Sequence, residues 1–242
     1  MVQDTLPTVV LVHGAFEDGT AWSGVISRLQ GAGYRVMAPA VPLRGIGSDV
    51  AYLDSVLSTV PGPMVLAGHS YGGVLISELA ARNRRVAALV YAAAFIPETG
   101  ENIDGLNSQF PGSLIGPDTT YTVNYPGGSD LYVRPEAYRQ LYAGDQPASD
   151  AAVAAAAQRP LHTSALTERT TAQAPASVPK FAMVATRDKA VAPAAQQFQA
   201  ERARAQISHV CSAHDMPVSH PGAVAGVIEK AALTTSRVSS SQ

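Results

Sequence analysis

Gly68-His69-Ser70-Tyr71-Gly72-Gly73 stands directly after a short apolar run, Met64 to Ala67, and directly before a helix-patterned stretch, Val74 to Asn83. G-x-S-x-G between a strand and a helix is the spacing of a nucleophile elbow. A serine in so tight a turn is held in a strained backbone conformation, with its Oγ clear of the sheet. Gly68 and Gly72 flank it because side chains there would collide with the neighbouring strand and helix. The helix that begins at Tyr71 aims N–H groups and its positive dipole end at the place where an oxyanion would develop. A glycine-rich turn with a chance serine shows the same six residues; the flanking strand and helix are what favour catalysis.

Upstream, Thr8 to Val12 (TVVLV) is β-branched and continuously apolar, as suits a strand buried on both faces of a parallel sheet. Trp22 to Gln30 has helical spacing and stops at Gly31-Ala32-Gly33, with Trp22 read as core. Tyr34 to Ala38 is a second strand. Ser48 caps a helix whose apolar stripe is Val50, Leu53, Val56 and Leu57. Downstream, Val86 to Ala93 is a fourth strand. From Glu98 to Ser177 turn residues multiply and no clear strand is evident, so residues 98–177 read as an inserted cap with helical pieces at Pro135 to Tyr142 and Ala151 to Gln158. Alternation then resumes with a strand at Phe181 to Ala185, a helix at Pro193 to Ala205, a strand at Ile207 to Cys211 and a helix at Pro221 to Leu233. The polar tail from Thr234 to Gln242 is expected to fray. The expectation is a mostly parallel sheet of about six strands with helices on both faces, built from residues 1–97 and 178–242.

A serine nucleophile needs a base and an acid, in the chain order Ser, acid, His, on loops after the last strands. His214 lies on the loop after the sixth strand, three residues past Cys211. His220 is the runner-up, at the start of the final helix. His209 lies inside the strand, His162 in the cap, and His13 braces the loop after the first strand. His69 is expected to point away from the chemistry. Asp188 follows the fifth strand and is the candidate acid, fixing the tautomer of His214; a capping aspartate would look the same. Glu98 is a weaker alternative, and Asp215 is expected to face elsewhere. The N–H groups of Ala15, on the Val12-His13-Gly14-Ala15-Phe16 loop, and of Tyr71 are the candidate oxyanion donors, with Phe16 the lesser choice.

Composition narrows the class. The 242 residues are 46% hydrophobic and 15% charged, as a globular protein is, and the net charge of −2 suits neither nucleic acid nor an anionic membrane as partner. The single cysteine excludes an internal disulfide and a cysteine-rich metal site. Met1 to Pro7 lacks the basic and apolar regions of a signal peptide, and no apolar run approaches the ~20 residues of a membrane helix. These features point to a cytoplasmic protein. The cap carries five of the nine tyrosines (121, 125, 132, 138 and 142) and nine acids against four arginines. Most are read as packing and solvated residues; any that line a pocket favour a neutral, partly aromatic ester.

The stretches VHGAFEDGTAW, LAGHSYGG with YAAAFIP, VATRDKAVAP and SAHDMPVSHP resemble small α/β hydrolases of the plant methyl esterase and hydroxynitrile lyase group, and their bacterial esterase-like relatives. The resemblance implies an α/β-hydrolase fold, a small helical cap, a Ser70–His214–Asp188 triad and no cofactor. Two positions depart from hydroxynitrile lyases: Asp215 stands where they carry lysine after the catalytic histidine, and Gly14 where they carry threonine. Both favour ester hydrolysis. A ligand receptor without catalysis, or a lyase or cofactor-free oxidative enzyme, are the competing readings on such a fold.

Overall fold

The computed structural model describes residues 6–239; Met1 to Thr5, on which part of the leader reading rests, and residues 240–242 lie outside it. In chain order the elements of the first half are β1 (Thr8–Val12), α1 (Ser23–Gly31), β2 (Val36–Met37), α2 (Ile46–Ser58), β3 (Met64–His69), α3 (Gly72–Arg82) and β4 (Val86–Ala92). The inserted stretch holds α4 (Ile103–Ser108), β5 (Thr120–Tyr125), β6 (Gly128–Val133), α5 (Pro135–Leu141), α6 (Ala148–Ala157), β7 (Leu161–His162) and α7 (Ser164–Thr167). The chain ends with β8 (Lys180–Ala185), α8 (Pro193–Arg202), β9 (Gln206–Val210), α9 (Met216–Ser219) and α10 (Pro221–Ser239).

Six strands form one parallel sheet in the order β2-β1-β3-β4-β8-β9. Side chains alternate across it, as strand geometry requires. Val9 and Leu11 pack with Trp22, Leu29 and Ile228 under α1 and α10. Val10 and Val12 belong to the core layer on the other face, which includes Leu53 of α2, Leu75 of α3 and, under the far strands, Ala195 of α8. Both faces are thus covered, which explains why TVVLV is apolar without a break. β1 lies between β2 and β3, so the chain leaves it in opposite directions on its two sides. Crevices at such a switch point, beyond the carboxyl ends of the strands, are where open α/β sheets bind ligands. The turns after β1 and β3 meet there.

Several local expectations are corrected. The second strand is two residues long, not five. Ser48 is not the cap of α2, which begins at Ile46; the Ile46 and Gly47 N–H groups instead donate to the two Glu168 oxygens at 2.7 and 2.8 Å. An acid 122 positions away performs the capping, which local pattern cannot reveal. The insertion is not helical alone. β5, β6 and β7 form an antiparallel sheet, and the hairpin between β5 and β6 turns through Gly127 at φ 98°. TYTVNY followed by Pro126-Gly127 is a hairpin signal in which exposed faces hid the strand. α10 continues as helix to Ser239, past the Leu233 at which the sequence pattern ended it. No helix among the described residues is long and apolar enough to cross a membrane.

Candidate active site

Ser70 sits between β3 and α3 at φ 53°, a conformation that a residue with a Cβ adopts only at a cost. The closeness of the neighbouring chain explains the glycines. A Cβ on Gly68 would lie 2.6 Å from the Gly72 carbonyl oxygen, and one on Gly72 would strike the Val12 carbonyl oxygen. The elbow is therefore wedged between β1 and α3, and Ser70 is 5% exposed.

His214 and Asp188 are brought together. His214 Nδ1 lies 2.6 Å from Asp188 Oδ2, both side chains fully buried. Asp188 is itself fixed: its Oδ1 accepts the Ala190 and Val191 N–H groups at 2.8 and 2.9 Å, and its Oδ2 accepts Gln196 Nε2 at 2.7 Å. Such a carboxylate orients the imidazole and selects its tautomer. His214 Nε2 is buried without a hydrogen-bond partner among the described residues. A bond from Ser70 to this nitrogen is not formed here; such contacts commonly tighten only with substrate bound. The runners-up lie elsewhere. His220 is bonded to Ser219 Oγ at 2.8 Å and stands 3.6 Å from Asp145. Glu98 is half exposed and pairs with Arg202.

Ala15, Phe16, Ser70 and Tyr71 line one enclosed cavity of about 60 Å³, with Phe95, Leu131 and Tyr142 among its walls. The Ala15, Phe16 and Tyr71 N–H groups donate to no protein acceptor among the described residues. Phe16 stands at φ 64°, so the loop bends sharply at this point. His13 braces the loop as read, its Nε2 accepting the Val41 N–H at 2.9 Å. Among the described residues, no three or more His, Cys, Asp or Glu side chains gather as metal ligands would.

Three residues near the site were missed or misplaced by the sequence. His69 does not point away: its ring centroid is 4.7 Å from that of His214. His69 Nε2 bonds the His214 carbonyl oxygen at 2.9 Å, and its Nδ1 lies 2.5 Å from Glu17 Oε1. Glu17 also accepts the Gly14 N–H at 2.6 Å. Tyr142 packs edge-on to His214 at 4.5 Å and donates to the Ala15 carbonyl at 3.0 Å. One chain of contacts thus joins the β1 loop, the elbow and the His214 loop. Burial would push the His69 imidazole down, but the Glu17 carboxylate outweighs it and holds it up at about 9. Burial alone would raise Glu17; the His69 charge beside it brings it below the usual range instead. The pair is ionic at neutral pH.

This has a stability consequence. A raised His69 contributes fully below its unfolded value of about 6.5 and is lost as pH rises through 9. A depressed Glu17 contributes above its unfolded value of about 4.3 and is lost on acidification. Glu17→Gln should therefore cost about 3 kcal/mol near pH 6, as removing one partner of a buried pair does, and much less at pH 10. Urea unfolding of both proteins at the two pH values measures it; equal losses would show that the pair is not ionic.

The parallel sheet, the elbow after its central strand and the His–Asp pair after its last two strands define a protein of α/β-hydrolase architecture. The chain belongs to the alpha/beta hydrolase family, whose profile matches residues 9–227. It is 30% identical over 162 residues to a pyrethroid hydrolase of Sphingobium wenxiniae, a match covering 59% of this chain and 57% of that one. It is 32% identical over 112 residues to a carbendazim hydrolyzing esterase of a Nocardioides species, covering 40% and 46%. The chain thus spans about half the length of these curated relatives. A methylesterase of Arabidopsis shares the fold at a TM-score of 0.79 and 19% identity, covering 95% of this chain and 100% of that one.

Proposed function

We propose that the protein hydrolyses carboxylic esters of small molecules through an acyl-enzyme. Ser70 is the nucleophile, His214 the general base and then acid, and Asp188 the group that orients and charge-balances His214. The Ala15 and Tyr71 N–H groups receive the oxyanion; each such donor supplies about 3 kcal/mol to the transition state. The observation that carries this reading is the 2.6 Å His214–Asp188 bond, with the opposite imidazole nitrogen left unpartnered in the buried region beside the elbow. Relatives named as hydrolases and esterases support the same chemistry. The small Ser70 cavity, mostly apolar in its walls, suits a short acyl group unless the cap yields. The most direct experiment is turnover across p-nitrophenyl, methyl and lactone esters, with Ser70→Ala as control.

Cyanohydrin cleavage fits poorly. Its leaving cyanide needs a cation beside the catalytic histidine. Asp215 holds that position, and the charge of the nearby His69 is already balanced by the Glu17 carboxylate, with its other ring nitrogen bonded to the His214 carbonyl. A threonine in place of Gly14 would not fit either: a Cβ there lies 2.8 Å from Ser70 Cβ. Mandelonitrile and a p-nitrophenyl ester offered side by side at neutral pH should give ester turnover and negligible cyanide. Efficient cyanide release with no ester turnover would overturn the assignment.

A further inference from the structure

We propose that the cleft between α6 and the Glu17–Asp215 pair binds a hydrophobic organic ammonium ion. The cleft is about 370 Å³, several times the Ser70 cavity, and Phe16 forms part of the wall of both. Four carboxylates line it, those of Glu17, Asp18, Asp150 and Asp215, and no lysine, arginine or histidine does. Phe16, Tyr138, Ala154 and Val218 supply an apolar wall.

Two of the acids point to a missing donor. Glu17 and Asp215 are 9% and 4% exposed, and Glu17 Oε2 and Asp215 Oδ1 are buried with no hydrogen-bond partner. An unpaired buried acceptor is costly, more so when charged. Their other oxygens are spoken for: Glu17 Oε1 by Gly14 and His69, Asp215 Oδ2 by Gln146 Nε2 at 2.8 Å. The nearest cations do not serve the cleft. His69 is fully buried behind Glu17, and Arg159 acts on Asp18 without lining the cleft. An ammonium brings three N–H donors to these two carboxylates, while its carbon skeleton lies against the apolar wall and the rings of Phe16 and Tyr138 favour its charge. A bare metal ion is a worse guest, since no trio of ligating side chains converges among the described residues. The ammonium has two sources: a free amine, or the alcohol part of an ester whose acyl group sits at Ser70 beyond Phe16.

Asp215 also gives the binding a pH signature. Burial and the Glu17 charge push it up to about 7, against the pull of His69 and Gln146 and with Asp145 adding to the rise. Asp150 and Tyr138 also face the cleft. A bound cation holds Asp215 ionised, so affinity falls as pH drops from 8 to 6.

Calorimetry at pH 8 with phenethylammonium and its neutral counterpart 2-phenylethanol tests the inference directly, without reference to ester turnover. The amine should bind at least tenfold tighter than the alcohol, more weakly in high salt and at pH 6. Ala154→Trp, which fills the cleft from α6, should abolish the difference, as should Asp215→Asn. Competition by the amine against a p-nitrophenyl ester would assign the ammonium to the substrate; binding without competition would make it a separate ligand. Equal affinity for amine and alcohol, no saturable binding, or an undiminished preference in Ala154→Trp would overturn the proposal.

Discussion

Ser70→Ala is expected to leave a folded protein whose kcat is lower by about five to six orders of magnitude, as loss of the nucleophile lowers it in serine hydrolases. The reasoning starts from the backbone. A residue at φ 53° costs about 1–2 kcal/mol unless it is glycine, and the wedge of Gly68 and Gly72 against β1 holds Ser70 there. Strain of this kind survives where the surrounding structure over-determines it. Ser70→Gly should then raise stability by about 1 kcal/mol while removing activity as completely as Ser70→Ala. Thermal unfolding and ester turnover of the two variants separate the effects. A fluorophosphonate probe should label the wild-type protein on Ser70 and neither variant. Labelling at another residue, or a Ser70→Ala protein with near-normal turnover, would remove the nucleophile from the proposal.

The features legible in the sequence are those written in consecutive residues. The elbow, TVVLV and the glycine spacing are local, and chain order alone directed attention to Asp188 and His214, which the fold brings to 2.6 Å. The features that escaped are long-range. Glu17 meets His69 across 52 positions, and Tyr142 meets Ala15 across 127. Nothing in VHGAFEDG distinguishes a buried, ion-paired Glu17 from a surface acid. His69 was misread because the elbow geometry describes where Ser70 points, not which loop closes over its neighbour. One clue was available. A histidine and an acid flanking the β1 and β3 turns, both at the switch point of a parallel sheet, have few places to go except toward each other.

Asp188→Asn is expected to lower kcat by about four orders of magnitude with the fold retained, and the cause lies in the direction of hydrogen bonds. The two oxygens of Asp188 accept from four donors: the Ala190 and Val191 N–H groups, Gln196 and His214 Nδ1. An asparagine has one acceptor oxygen. Its oxygen is held by the two backbone N–H groups, which cannot turn away, so its amide nitrogen takes the place of Oδ2. That nitrogen donates to His214 Nδ1 and forces the ring proton onto Nε2, the atom that in the proposed mechanism accepts the proton of Ser70. The base is then present, correctly placed and in the wrong tautomer. Gln196 cannot relieve the clash by rotating its amide, because its Oε1 already accepts the Ala185 N–H at 3.0 Å. The two facing amides therefore also cost stability, about 1–3 kcal/mol. Circular dichroism and ester turnover should show a folded, slightly less stable and nearly inactive protein. Glu98→Gln and His220→Ala, whose side chains lie with Arg202 and Ser219, should retain normal kcat. A loss of less than tenfold in Asp188→Asn, or a severe one in Glu98→Gln, would move the acid off the β8 loop and with it the reading of His214 as the base.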